Sequence, residues 1–440
     1  MNKLNHKLLD VNYRVNKLIQ LKEEILANEP AIYEALYLDL NKSEQEAFLS
    51  EVGQVLAEVN LYIKKLNKWA KTTKVKTPMS MNPSKSYQVY QPLGKVLIIS
   101  PWNYPFNLSM IPLIDAFGAG NSIDIKLSEF SMHTSRVMKK ILNNVFDETE
   151  VRVHLGEADV AINLLKDKYD LIFFTGNEKV GHSVYQKAAE TLTPCVLELG
   201  GKSPTIILED ALLYDTAKKL AWAKGLNSGQ TCVAPDYVFV PRKMLNETKK
   251  ALDNAFKEQF GEDILANPTY PKIISPRHFN RILALDLPLK YDQDKLKIEP
   301  YVFEASLLDK TMQQELFAPI LPLVPYDNLE DVISYINEHN TPLALYIFGR
   351  NKHTINKIIT ETQFATGAVN NAIVQISNNN YGFGGLGHSG FGKYHGYTGF
   401  KTFSHEKNYL YSSHKLNMNQ KIQTNPKIGK FTFNMLKKIF

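Results

Sequence analysis

The stretch Lys95-Val96-Leu97-Ile98-Ile99-Ser100-Pro101-Trp102-Asn103-Tyr104-Pro105 changes the character of the chain. Before it, apolar residues recur at helical spacing. Leu8, Val11, Val15 and Leu18 share one face, and Phe48, Val52, Val55, Val59, Tyr62 and Leu66 form a longer stripe. That spacing predicts amphipathic helices covering a sheet. From Lys95 onward, short β-branched runs take over at 96–99, 123–125, 151–153, 171–174 and 196–199, with room for a helix between each pair. Strands alternating with helices predict an α/β fold with a parallel, doubly wound sheet. Parallel strands covered on both faces should be almost wholly apolar, and Asp124 breaks that rule.

A second alternating series at 205–208, 237–240, 343–348 and 368–369 predicts a second α/β unit. The polar segment 77–91 leans towards strand through Tyr87, Val89 and Tyr90 and reads as an excursion from the first unit. After Asn370 the chain becomes Asn- and Gly-rich, then aromatic, with no internal repeat.

Bulk properties narrow the classes. With 440 residues, 44% apolar and 22% charged, the chain can bury a large core divided among several domains. Only Cys195 and Cys232 are present, which fits free thiols in a reducing compartment. Residues 1–10 mix Lys, Asn and Leu without an apolar run, which predicts no signal peptide, and no 18-residue apolar stretch predicts a membrane span. The net charge of +6 is matched by six Lys and no acid between Lys415 and Phe440. No basic face interleaved with aromatic residues supports a nucleic-acid partner. The tail also holds Ile428, Phe431, Leu436, Ile439 and Phe440. A basic amphipathic helix there can rest on an anionic membrane, pack on a neighbouring subunit or fray.

Four motifs carry chemistry. Gly229-Gln230-Thr231-Cys232 follows an apolar helical run and an Asn227-Ser228 break. A lone Cys is usually a small buried hydrophobe, but small polar neighbours favour a reactive thiol. Glu198-Leu199-Gly200-Gly201-Lys202-Ser203-Pro204 puts a carboxylate at a strand end, either paired with Lys202 or placed as a general base where doubly wound folds bind ligands. Asn103, between two prolines, either makes a turn or donates to an oxyanion. Gly176 and Gly181 stand at a strand-to-helix turn suited to a dinucleotide phosphate. A literal Gly-x-Gly-x-x-Gly at Gly382, Gly384 and Gly387 follows an Asn-rich loop rather than a strand, so it reads as a functional loop and not a phosphate cradle.

Together with Glu315-Leu316-Phe317-Ala318-Pro319 and Gly384-Gly385-Leu386-Gly387-His388-Ser389-Gly390, these motifs resemble the aldehyde dehydrogenase superfamily from about Leu18 to about Leu410. Ala234-Pro235-Asp236-Tyr237 and Tyr394-His395-Gly396 are similar to its class 3-like branch. The resemblance implies oxidation of an aldehyde, medium- or long-chain or aromatic, with NAD or NADP. It implies Cys232 as nucleophile, Asn103 and the Cys232 backbone N–H as oxyanion hole, and Glu198 as the base for the deacylating water. It further implies Lys126 and Glu129 at the adenosine ribose, Glu315 at the nicotinamide ribose with Phe317 beside it, and Gly176, Gly181 and Trp102 near the pyrophosphate. No metal is expected. A coenzyme A-acylating dehydrogenase and a non-catalytic scaffold of the same fold are the alternatives; Glu198 opposes the first, and intact Cys232, Glu198 and Asn103 oppose the second.

The resemblance also implies a division into a cofactor part (1–75 and 92–200), a catalytic part (201–372), a small β bridging element (76–91 and 373–412) suited to homodimer formation, and the basic tail (413–440), in a cytoplasmic enzyme. The chain departs from the family at Asp115, Asp124, Leu127, Glu157 and Gly382, and in a shortened segment at 283–300. Most departures are expected near the adenosine pocket, where they predict altered cofactor affinity, and an unpaired buried Asp would be costly.

Overall fold

The computed structural model describes residues 6–81, 83–412 and 423–437. Its first six-stranded sheet runs, edge to edge, Gly390–Phe391, Cys195–Leu199, Leu171–Gly176, Lys95–Ile99, Ser122–Lys126 and Val151–His154. All neighbours are parallel except the first pair. The chain starts at Lys95–Ile99, steps outward twice, then returns to Leu171–Gly176 on the other side. The order therefore reverses between Lys95–Ile99 and Leu171–Gly176, and ligands of open α/β sheets bind beyond the carboxyl ends at such a point.

A second sheet runs Tyr301–Glu304, Ile320–Tyr326, Tyr237–Pro241, Pro204–Ile207, Ala344–Phe348 and Thr366–Val369, all parallel. The strands Tyr301–Glu304 and Ile320–Tyr326 were not expected; the first is only four residues long, and Pro322 and Pro325 interrupt the apolar run of the second. Each proline removes one ladder bond, and the flanking apolar residues are buried enough to keep the strand. A small antiparallel sheet joins Thr73–Val75, Lys85–Pro92 and Ser404–Tyr411. The 373–412 segment is split between sheets, since Gly390–Phe391 pairs with Cys195–Leu199 while Ser404–Tyr411 pairs with Lys85–Pro92.

Helices Val11–Ala27, Glu29–Leu40 and Gly53–Trp69 cover the first unit. Val52, Val55, Val59, Tyr62 and Leu66 are fully buried, but Phe48 is 44% exposed, against expectation. The reason is a π-helical turn at Phe48–Val52. One extra residue in that turn rotates Phe48 off the stripe and swings Glu51 into the interior.

Both unexpected acids have partners. Asp124 is bonded to Lys95 (2.6 Å), His154 (3.0 Å) and the Tyr169 hydroxyl (3.0 Å). Burial alone would raise its pKa, but these bonds outweigh it and hold the carboxylate below its usual range. Asp115 lies on the opposite face of the sheet, in helix Asn107–Gly118, beside Glu58. Its Oδ2 accepts from the His395 N–H (3.0 Å), while Glu58 accepts from the Gly396 N–H (2.6 Å). Burial raises both pKa values; Glu58 adds to the rise at Asp115, while the contact with Asp115 partly offsets it at Glu58, so the pair favours a protonated carboxyl over two buried charges. Leu127 is a core residue and Glu157 is exposed. The cost expected of an unpaired buried Asp is thus offset at Asp124 by Lys95 and His154 and reduced at Asp115 by its raised pKa.

Candidate active site

Helix Leu213–Gly225 ends in a tight turn over Leu226–Gly229. Asn227, Ser228 and Gly229 are all left-handed, with φ of 50°, 54° and 74°. Two consecutive non-glycine residues in that region are unusual and persist only where surroundings over-determine them. Here they do. The Asn227 side chain donates to the carbonyls of Asn103 (2.7 Å) and Gln230 (3.1 Å), and its N–H donates to Glu46 (2.8 Å). Gln230 is fixed through Asn227 O, Lys272 O and the Ile274 N–H. A Cβ on Gly229 would meet Ala318 O at 2.3 Å, so only glycine fits.

This turn presents Cys232. Its side chain is half-buried, and burial pushes the thiol up to about 12, with the charges of Glu315 and then Glu198 adding to the rise. The backbone N–H groups of Cys232 and Val233 act in the other direction. Asn103 is buried after strand Lys95–Ile99, and its Nδ2 lies 3.1 Å from Gln230 O, two residues from the thiol. An amide nitrogen carries two donors, so one remains for a ligand. Tyr104 and Thr231 join the same two loops through their hydroxyls at 2.5 Å.

Glu198 sits at the carboxyl end of its strand, buried, with neither oxygen hydrogen-bonded. Burial drives its pKa well above the usual carboxyl range; the Gly385 N–H, which points at the carboxyl without full hydrogen-bond geometry, and Lys393 offset this only in part. The pairing with Lys202 does not form; Lys202 bonds instead to Asp236 (2.5 Å). A Cβ on Gly384 would come within 3.0 Å of Glu198 Oε1. The glycine-rich loop therefore lies over this carboxyl group.

Glu315 packs on Gly200, where a Cβ would lie 2.2 Å from its Oε2. Burial first, then Asp236, raises it to about 8. Phe317 (φ 48°) meets Trp102 edge to face at 5.5 Å, and Trp102 lies 4.8 Å from the His278 ring. Lys126 and Glu129 form an ion pair at a strand end. Gly176 and Gly181 contact Phe174 and Leu199 closely, which brings the Asn177-capped helix Glu178–Ala189 tight against the sheet. The hydroxyls of Ser100 and Thr175, on either side of the switch point, have no partner within the protein. Orphaned hydroxyls, a ribose-competent carboxylate and a helix start at one cleft fit a dinucleotide.

Cys232 is influenced by Glu198 and Glu315, and Asn103 meets the turn that carries it; Lys42, Glu46, Glu51 and His278 lie outside every motif quoted above, while Tyr104, Asn227 and Gln230 stand within or beside the motifs but carry no residue-level signal of their contacts. Among the described residues, no group of three or more His, Cys, Asp or Glu could hold a metal, and no helix is long and apolar enough to cross a membrane.

The aldehyde dehydrogenase family model matches residues 4–409. The chain is 38% identical to the 4,4'-diaponeurosporen-aldehyde dehydrogenase of Staphylococcus aureus, covering 96% of this chain and 94% of that protein. It is 37% identical to the dimeric NADP-preferring aldehyde dehydrogenase of Canis lupus familiaris, covering 91% and 90%. The substrate-bound structure of Staphylococcus aureus AldH superposes with a TM-score of 0.94 at 37% identity, covering 98% and 96%.

Proposed function

The chain belongs to the aldehyde dehydrogenase family and oxidises an aldehyde to its acid with NAD or NADP, and we propose that it does so through a thioester on Cys232, with Glu198 serving the hydrolytic half. The supporting observation is the meeting of a thiol, a free amide donor and an unpartnered buried carboxyl at the sheet's switch point.

Cys232 gives up its proton to solvent, the thiolate attacks the aldehyde carbon, and the electron pair of the carbonyl moves to oxygen. Asn103 Nδ2 and the Cys232 N–H stabilise it, each by about 3 kcal/mol of barrier. The bound cofactor supplies a hydride acceptor. Glu315 would hold the nicotinamide ribose, and Trp102, Phe317, Lys126, Glu129, Gly176 and Gly181 would line the rest of the cofactor cleft. Loss of hydride leaves the thioester. Glu198, with no competing bond, takes a proton from the attacking water, and its raised pKa makes it a stronger base once ionised.

The same reading divides the chain into the cofactor, catalytic and bridging parts given above. It assigns a cytoplasmic homodimer built through the exposed edge strand Ser404–Tyr411, a mode open to any unpaired strand edge. A medium- or long-chain or aromatic aldehyde is the substrate class of this reading, and a Pseudomonas aeruginosa relative named probable coniferyl aldehyde dehydrogenase, 37% identical over 98% of this chain, supports the aromatic member. Helix Pro426–Leu436 exposes Phe431 (71%) and Phe433 beside Lys427 and Lys430, which supports peripheral contact with an anionic membrane; Ile439 and Phe440 lie outside the described residues. Loss of liposome co-sedimentation on truncation would support that contact, and equal partitioning would remove it. The oxidation is tested by NAD(P)H production across an aldehyde panel beside Cys232→Ala. Turnover abolished in the variant supports the reading; retained turnover, or none in either protein, overturns it.

A further inference from the structure

The segment 42–51, between helices Glu29–Leu40 and Gly53–Trp69, holds three ionisable groups that the reaction does not use, Lys42, Glu46 and Glu51, and all three face the active-site loops. Lys42 and Glu51 are fully buried and paired at 2.6 Å. A buried ion pair is rarely retained for stability alone, because desolvation consumes most of its Coulomb gain. The contacts around this one are specific. Lys42 Nζ donates to the Asn103 carbonyl at 3.1 Å and lies 3.9 Å from the Tyr104 ring centre. Glu51 Oε2 accepts the N–H groups of Phe106 (3.0 Å) and Asn107 (2.9 Å), closing the start of helix Asn107–Gly118. The pair therefore grips the loop Asn103–Asn107 at both ends.

The same carbonyl of Asn103 also accepts from Asn227 Nδ2 at 2.7 Å, and the Asn227 N–H is bonded to Glu46. One short segment, residues 42–51, thereby touches both the loop that carries the amide donor and the turn that carries the nucleophile. The π-helical turn Phe48–Val52 makes this possible, since its extra residue directs Glu51 inward while leaving Phe48 in solvent. Such single π turns often mark functional sites.

We propose that Lys42, with Glu51, is a positioning residue for the oxyanion hole: it fixes the Asn103 peptide so that the Asn103 amide and Cys232 keep their relative placement. Glu46 serves the other half of the contact by holding the Asn227 turn. The inference rests on Asn103 being the oxyanion donor. A donor displaced by about an ångström forfeits much of the 10²–10³-fold that such a group contributes.

The test is a double-mutant cycle on the full-length protein, reading kcat per active site, with sites counted by the amplitude of the NADH burst. Lys42→Met and Glu51→Gln should each lower kcat about 10- to 100-fold while the cofactor KM stays within about twofold. Asn103→Ala should lower kcat by at least as much, and Lys42→Met added to Asn103→Ala should cost nothing further. Lys42→Arg, which keeps the charge and a donor, should recover part of the loss. Additive losses in the double variant, or unchanged kcat per site in both Lys42→Met and Glu51→Gln, would overturn the proposal. If Lys42→Met does not fold, Glu51→Gln in the same cycle decides it, because glutamine keeps an acceptor for Phe106 and Asn107. An unimpaired Asn103→Ala would instead remove the oxyanion assignment on which the inference rests.

Discussion

The thiol of Cys232 should be hard to ionise in the protein without cofactor, and iodoacetamide can measure this. Burial pushes the group to about 12, with Glu315 and Glu198 adding to the rise. Alkylation proceeds through the thiolate. At pH 7 a thiol of that pKa is ionised in roughly one molecule in 10⁵, against about 3% for an unperturbed cysteine. The rate should therefore rise about tenfold per pH unit with no plateau up to pH 10. Replacing Glu315 by Gln removes a charge only where that charge exists. Glu315 itself ionises at about 8, so wild type and variant should react alike below pH 8. Above it the variant should react faster, by about tenfold if Glu315 accounts for one pKa unit, or about 1.4 kcal/mol. Peptide mass spectrometry separates Cys232 from Cys195, whose own thiol is raised to about 11. A plateau at or below pH 9, or a variant slower than wild type above pH 8, would refute the electrostatic reasoning.

Three further outcomes follow from particular contacts. Gly200→Ala places a methyl 2.2 Å from Glu315 Oε2 and should raise the cofactor KM about tenfold or more with little change in melting temperature; an unchanged KM would detach Glu315 from cofactor binding. Gly399→Ala puts a methyl 1.9 Å from Asp115 Oδ2, so it should destabilise by about 2 kcal/mol in a urea titration and leave the active-site groups untouched. Asp124 has a depressed pKa, so its stabilisation is present above the unfolded value near 4 and lost as pH falls through the folded one. Asp124→Asn should cost about 1 kcal/mol at pH 7, discounted for the partly exposed Lys95, and the gap from wild type should narrow as the pH falls below the unfolded value.

The first sheet was legible because its strands are contiguous apolar runs, and Cys232, Glu198 and Asn103 were legible because each follows a run at a turn. Other features depended on contacts between distant parts of the chain. The π turn at Phe48–Val52 follows a stripe that looks regular in one dimension, and only tertiary packing shows that Glu51, not Phe48, faces inward. Asp115 and Asp124 read as isolated charges because Glu58, Lys95, His154 and Tyr169 lie 29 to 57 residues away. Strand Ile320–Tyr326 was hidden by its prolines, although its neighbours on both sides hold it in register.

The central claim is a covalent acyl group on Cys232 that Glu198 helps water remove. Its most direct measurement is intact and peptide mass spectrometry of Glu198→Gln after brief exposure to an aldehyde and NAD. The account predicts one equivalent of NADH per site, an acyl adduct on the Cys232 peptide equal in mass to the aldehyde less one hydrogen added to a thiol less one hydrogen, and turnover lowered about 10²- to 10⁴-fold. NADH formed at the wild-type steady rate with no adduct on Cys232 would contradict it.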